Sequence, residues 1–512
     1  MVGTPNSKKP TTPAFRKADV KRNISETEKT HVASAGAKSI RSNTVMKKPK
    51  NILIFSDGTG QYGGLRPDQR LSNIYKMYRA MRPGPPNKIS PADQFAFYDP
   101  GLGSGEGGGR LRNIIAAAFG TGISENIIDC YEAIMKSYRP GDRIFIFGFS
   151  RGAYTARCVA NVLNLCGVPT QDGSGGRLPV GGIKLRSIAE EAVYRVYEHG
   201  SGKDREKFER QREELADRFR KRYGSAGSGT KGEAQGNVAP TFIGVFDTVA
   251  ALGGVIVRRI LTAIAVSAGL LGAASYYYDW PWWGKILAFA PAAFIITSLL
   301  WSVKKQFKYI WKPTGTRIPI RFHFAAWNLK NYDRYLDSSV GYARHAISID
   351  ENRARFPRVG WGMGTDVNEV NRGDIAWLKQ EWFAGNHSDI GGSYLEEESR
   401  LSDIALKWMV DELKKIPVPP KMNSSFVQTY PDALGLQHDE VLLSRESWLP
   451  RWVPWRLGWK SEMRAINSKA VIHESVIQRL KAELVPQFDA LEPYRPDGLR
   501  GHEVANRYFA ER

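Results

Sequence analysis

Cysteine is scarce: three residues, Cys130, Cys158 and Cys166, in a chain of 512. An odd count with this spacing supports neither a disulfide framework nor a zinc site. Reduced thiols packed in a core are expected instead. Acidic residues are also outnumbered, with 52 Asp and Glu against 73 Lys and Arg and a net charge of +21. That balance fits either nucleic acid or anionic lipid as a neighbour. No nucleic-acid recognition motif accompanies it, so nucleic acid is not expected as a partner. The N-terminal stretch has no apolar run, so no Sec-type signal peptide is expected there.

What is present is unevenly spread. Residues 1–50 hold twelve Lys and Arg against three Asp and Glu, so +9 of the +21 lies in this stretch. It is rich in Ser, Thr and Lys and lacks apolar periodicity, the composition of a disordered tail. Hydrophobic residues make up 42% of the chain, ample material for a core in the remainder.

From Asn51 the pattern changes. Asn51–Ser56 is an apolar run stopped by Asp57-Gly58-Thr59-Gly60, which predicts a buried strand and a turn. A helix is expected around Ser72–Met81 and a second strand at Gln94–Tyr98. Ser124–Tyr138 has helical spacing, Arg143–Phe147 is a strand, and Ala153–Cys166 is helical again. Strand, turn and helix in this succession predict an α/β fold with a mostly parallel sheet. Residues 170–238 turn highly charged and read as an insertion with one or two helices. Thr241–Phe246, Ile318–Ala326 and Glu381–Ala384 resume the strand pattern.

Two apolar spans stand apart. Ile260–Tyr278 and Ile286–Val303 carry no charge, and the joint between them is Asp279-Trp-Pro-Trp-Trp-Gly-Lys285. Each approaches the roughly 20 residues that cross a bilayer, with aromatics at the joint. Arg258, Arg259, Lys304, Lys305 and Lys308 flank them. The expectation is a transmembrane helical hairpin with both flanks, and the domain on either side, on the cytoplasmic face.

Gly148-Phe149-Ser150-Arg151-Gly152 matches G-x-S-x-G between a predicted strand and a predicted helix. That context is what a nucleophile elbow of the α/β-hydrolase kind demands. The serine sits on a strained turn, so small neighbours are needed, and the helix points its N–H groups at a developing oxyanion. Ser150 is therefore the candidate nucleophile. The oxyanion donors would be the backbone N–H of Arg151 and one from the loop after the first strand, Gly58 or Thr59.

Acyl transfer then needs a base and an acid, in the chain order Ser, acid, His. Of the histidines beyond Ser150, His323 falls inside a strand and His345 in an apparent helix. His387 lies in a small-residue loop after a strand, where a triad histidine belongs. Asp247 ends the strand before the hairpin and is the favoured acid. Asp389, beside His387, is the alternative. Asp57, on the oxyanion side, is assigned no firm role; stabilising its turn is the simplest reading. The chemistry calls for no metal and no cofactor.

Ser56-Asp-Gly-Thr59, Phe97-Tyr-Asp-Pro-Gly-Leu-Gly103, Gly148–Arg157, Phe246-Asp-Thr-Val249 and His387-Ser-Asp-Ile-Gly-Gly392 together resemble the type VI secretion lipase effector (phospholipase A) family. The resemblance covers roughly residues 50–400. It implies an α/β-hydrolase catalytic domain, the triad Ser150, Asp247 and His387, and hydrolysis of glycerophospholipid esters. Membrane phospholipid is then both substrate and environment; no protein partner is legible. The alternatives are an anchored esterase or thioesterase acting on soluble substrates, and a non-catalytic membrane scaffold. The expected layout is a tail over 1–50, a first hydrolase part over 51–250, the hairpin over 255–303, a second hydrolase part over 310–400, and a helical or irregular region over 401–512.

Overall fold

Short apolar runs without the alternation of a half-exposed strand predict a sheet covered on both faces. In the computed structural model that sheet has six strands. They are β1 (Asn51–Ser56), β2 (Gln94–Asp99), β3 (Arg143–Phe149), β4 (Phe242–Phe246), β5 (Tyr342–Ser348) and β6 (Leu378–Phe383). Their order across the sheet is β6-β5-β4-β3-β1-β2, and every pairing is parallel. The structure describes residues 48–101, 121–249, 255–325, 335–362, 371–445 and 460–509, apart from 62, 65–69, 202, 204, 230–231 and 355. The expected tail up to residue 47 and the Trp-, Pro- and Arg-rich stretch at 448–459 lie outside the described residues.

Side chains alternate along each strand, so one sheet feeds two cores. Ile52, Ile54, Ile144, Ile146, Ile243 and Val245 enter one cluster with the helices Thr121–Ser137 and Arg151–Cys166. Leu53, Phe55, Phe145, Phe147, Phe242 and Phe246 enter the other, against Asn73–Met81 and Arg400–Lys415. Each such fully buried side chain contributes ~1.5–3 kcal/mol. The three cysteines are buried thiols. The charged insertion supplies the helices Ile183–Glu190 and Arg205–Tyr223 to the first face.

The C-terminal region is part of this architecture. Its helix Glu474–Lys481 and Tyr494 pack on Ile347 and Trp382 in a third cluster. Val471–His473 also runs along β6: Trp382 N–H donates to Val471 O at 2.9 Å, and His473 N–H donates to Trp382 O at 2.9 Å.

Three expectations need correction. His345 sits in β5, not in a helix. Polar Arg344 and His345 interrupt the apolar run, and both are buried by partners rather than by hydrophobicity; Arg344 Nε donates to Glu412 Oε2 at 2.7 Å. Ile320–Phe324 is a strand but not of the main sheet: it pairs antiparallel with Phe307–Trp311 in a separate ribbon. The third correction concerns the apolar spans. Val255–Tyr277 and Trp282–Gln306 are helices that pack side by side, with Tyr276 against Phe289. Among the described residues, however, no helix is long and apolar enough to cross a membrane. Arg258 and Arg259 fall near the start of the first helix and Lys304 and Lys305 near the end of the second, while Gly, Ala and Ser dilute the stretches between. The spanning pair is therefore corrected to a helical hairpin.

The elbow depends on close backbone approach. A Cβ on Gly152 would lie 2.1 Å from Ser56 O, and one on Gly148 would lie 2.4 Å from Gly152 O. Both obstacles are backbone atoms, one at the end of β1 and one in the first turn of the helix Arg151–Cys166, so neither can swing aside. Gly152→Ala is expected to lower stability by ~3 kcal/mol through overpacking, read as a shifted urea midpoint; an unchanged midpoint would show that the helix can slide off β1.

Candidate active site

All three candidate residues stand at the carboxyl ends of strands, the edge where open parallel sheets place their ligands. Ser150 follows β3, Asp247 follows β4, and His387 opens the short helix His387–Gly391 just after β6. Ser150 has φ 61° and Asp247 φ 34°, conformations that cost non-glycine residues about 1–3 kcal/mol and cluster at functional sites. The Ser150 strain is held by a tether, its N–H donating to Phe246 O at 3.1 Å. Helix Arg151–Cys166 begins at the next residue, aiming its first amides at the space beside the Ser150 hydroxyl.

His387 is fixed by several contacts. Its Nδ1 lies 2.5 Å from Asp247 Oδ2, and because a carboxylate only accepts, Nδ1 carries the proton of that bond. Its backbone N–H donates to Glu351 Oε2 at 3.2 Å. The imidazole stacks on Phe149 at 4.6 Å and meets Phe356 edge-on at 5.3 Å. Nε2 is buried and, among the described residues, has no hydrogen-bond partner. With the proton on Nδ1, Nε2 presents its lone pair on the side of the ring away from Asp247.

Asp247 is entirely buried. Burial alone would raise its carboxyl, but the Arg464 guanidinium and the His387 hydrogen bond outweigh that and hold it well below the usual carboxylate range. Ser348 N–H donates to Oδ1 at 3.0 Å. Arg464 donates to Oδ1 at 2.6 Å and to Oδ2 at 3.0 Å. Arg464 is absent from the sequence-based candidates; its segment carries no motif, and only the folded chain brings it to the site.

Asp389 faces elsewhere. It closes a capping box with Asn386 at the start of the short helix His387–Gly391. It also accepts from His438, at 2.8 Å from Nδ1 and 3.0 Å from the backbone N–H. His345 lies beneath Asp247 and accepts from Thr248 N–H at 3.2 Å, while His323 sits in the separate ribbon and accepts from Gly200 N–H at 3.0 Å. On the oxyanion side, Gly58 N–H donates to Asp57 Oδ1 at 2.7 Å, so it is already engaged. Thr59 and Arg151 remain the candidate backbone donors. Asp57 also accepts from Ser72 Oγ at 2.5 Å and Tyr98 OH at 2.7 Å, tying the loop after β1 to two neighbouring elements. Burial outweighs these three bonds and lifts its carboxyl to about 6.

Comparison with known proteins follows this geometry. The family described as "T6SS, Phospholipase effector Tle1-like, catalytic domain" matches residues 50–412. The Saccharomyces cerevisiae "Uncharacterized protein YEL023C" is 31% identical over 146 residues, 26% of this chain and 20% of that protein. A crystal structure of an uncharacterized protein from Pseudomonas aeruginosa is similar at 15% identity and TM-score 0.34, covering 76% of this chain and 49% of that one. The Tle1 effector bound to the VgrG spike of the type 6 secretion system is similar at 18% identity and TM-score 0.27, covering 69% of this chain and 54% of that one. The chain thus spans a fifth of the yeast protein and about half of each solved chain.

The two acids near His387 separate by experiment. Asp247→Asn is expected to lower kcat by ~10³-fold or more while the fold survives. Asp389→Asn, which weakens a cap and the hydrogen bond to His438, is expected to lower the melting temperature and leave kcat within about threefold. The reverse ranking would assign the acid to Asp389.

Proposed function

Because the chain belongs to the Tle1-like phospholipase effector family of type VI secretion, we propose that it hydrolyses carboxylic esters of membrane glycerophospholipids through Ser150, His387 and Asp247. The observation that carries this reading is the 2.5 Å contact of His387 Nδ1 with Asp247, at the same sheet edge as the strained Ser150. In this mechanism His387 Nε2 removes the Ser150 proton as Oγ attacks the ester carbonyl. The N–H groups of Arg151 and Thr59 receive the oxyanion, and the protonated imidazole then hands its proton to the leaving alcohol. Water, activated by the same imidazole, releases the fatty acid from Ser150. Asp247 holds the imidazole tautomer throughout.

A lipid substrate is supported by a second feature. The hairpin exposes Trp282, Trp283 and Leu287, and the ribbon beside it exposes Phe307, Tyr309, Trp311, Phe322 and Phe324. The ribbon residues are cross-strand partners on one face, Phe307 opposite Phe324 and Tyr309 opposite Phe322. Across residues 255–324 there are nine Lys and Arg against a single acid, Asp279. An apolar, aromatic and cationic surface of this kind suits the headgroup boundary of an anionic bilayer, lying on it rather than crossing it.

Ser150→Ala and His387→Ala are each expected to reduce fatty-acid release from phospholipid vesicles by ~10³-fold or more, measured by lipid product analysis. Wild-type release by Ser150→Ala would remove the triad reading. Trp282→Ala combined with Phe322→Ala is expected to weaken sedimentation with phosphatidylglycerol vesicles and to leave hydrolysis of a short soluble ester unchanged. Full activity on soluble esters and none on vesicles, in the wild-type chain, would point to a soluble substrate instead.

A further inference from the structure

The family match ends at residue 412, yet the acid at the centre of the site is gripped by a residue well beyond that boundary. Residues 460–464 lie along the loop that follows β5. Ala354 N–H donates to Lys460 O at 2.9 Å, and Glu462 N–H donates to Asn352 O at 2.8 Å. These bonds deliver Arg464 to Asp247. Its two terminal nitrogens meet both carboxylate oxygens, at 2.6 and 3.0 Å, and the same nitrogens donate to Ser348 O at 3.0 Å and Phe356 O at 3.3 Å. The Arg464 side chain is 7% exposed and that of Asp247 is 0% exposed, so little water screens the pair.

We propose that Arg464 is a positioning residue of the triad, fixing the plane of the Asp247 carboxylate and offsetting its charge, so that the C-terminal segment sets both the aim and the basicity of His387. This rests on the triad reading above. A carboxylate with Oδ2 alone on an imidazole could rotate about its Cβ–Cγ bond. Here Oδ1 is occupied by Ser348 N–H and one guanidinium nitrogen, leaving Oδ2 a single direction toward His387. The second effect is electrostatic. A cation bound to the acid competes with the imidazolium that forms when His387 takes the serine proton. The stronger the Arg464 bond, the less charge Asp247 lends to that imidazolium, and the weaker a base His387 becomes.

Other charges face the pair. Glu351 accepts the His387 backbone N–H and is itself neutralised by Arg353 at 2.6 Å. Asp389 is turned to His438 at 2.8 Å. His345, beneath Asp247, is pushed down to about 3 by burial and stays neutral across the working range. Among the described residues, Arg464 is the cation that touches Asp247 directly.

The test uses the full chain with a short soluble ester, comparing Arg464→Met, Arg464→Gln and Arg464→Lys with wild type and with Ser150→Ala. Removing the charge is expected to move the acidic limb of the kcat/KM profile up by about one pH unit. It should also lower kcat about tenfold or more through lost aim, with KM within about twofold. Lys, which keeps the charge but not the fork, should leave the limb near its wild-type position with an intermediate kcat. If folded neutral variants, verified by melting temperature, superimpose on wild type in kcat and profile, Arg464 is only a structural tie and the proposal is overturned. If the neutral variants do not fold, Arg464→Lys decides: an undiminished kcat overturns the positioning role, and a reduced kcat with an unmoved limb supports it. Activity retained by Ser150→Ala would instead discard the triad itself, whatever Arg464 does.

Discussion

The carboxylate of Asp247 is the point on which three distant stretches of chain converge. His387, Ser348 and Arg464 all bind it, and it sits out of water in a positive-φ turn. A buried carboxylate without such partners would be costly to keep charged. With them, the charge becomes a fastener. It ties the end of β4 to the end of β5, to the short helix after β6 and to the C-terminal segment. The proposed chemistry and the closing of the fold therefore draw on one group, and neither can be altered without the other.

Much of this was legible in the residues, for a physical reason. The elbow is a local device: a buried strand, two glycines and a helix within about two dozen positions, each demanded by crowding around one turn. Gly148 and Gly152 stand where a Cβ would strike backbone. The β1, β3 and β4 strands were equally plain, since a fully covered parallel strand must be apolar throughout. The proposal of His387 and Asp247 rests, in the sequence, on their positions at predicted strand ends.

What was not legible is long-range or polar. β5 hid behind Arg344 and His345, whose burial is made tolerable by Glu412 on one side and Thr248 on the other. No single-sequence pattern announces such pairs. Arg464 sits in a segment without periodicity, and its partner is 217 positions away. The apolar hairpin shows the opposite failure. Composition there was conspicuous, and length and hydrophobicity suggested a crossing that the described helices do not support. Aromatic and basic residues on the neighbouring ribbon make better sense of a surface than of a span.

The strand-like stretch Val471–His473 bears on the outer edge of the sheet. An outer parallel strand carries a row of unsatisfied amides and carbonyls, a ready template for another chain. Along β6 that template is already taken up at Trp382 by the chain's own C-terminal region. A polypeptide cut near the end of the matched domain would keep the elbow, the acid and the histidine. It would also bare one side of β6 and the apolar faces of Trp382 and Ile347. The C-terminal region thus covers the outer edge of the sheet as well as reaching Asp247.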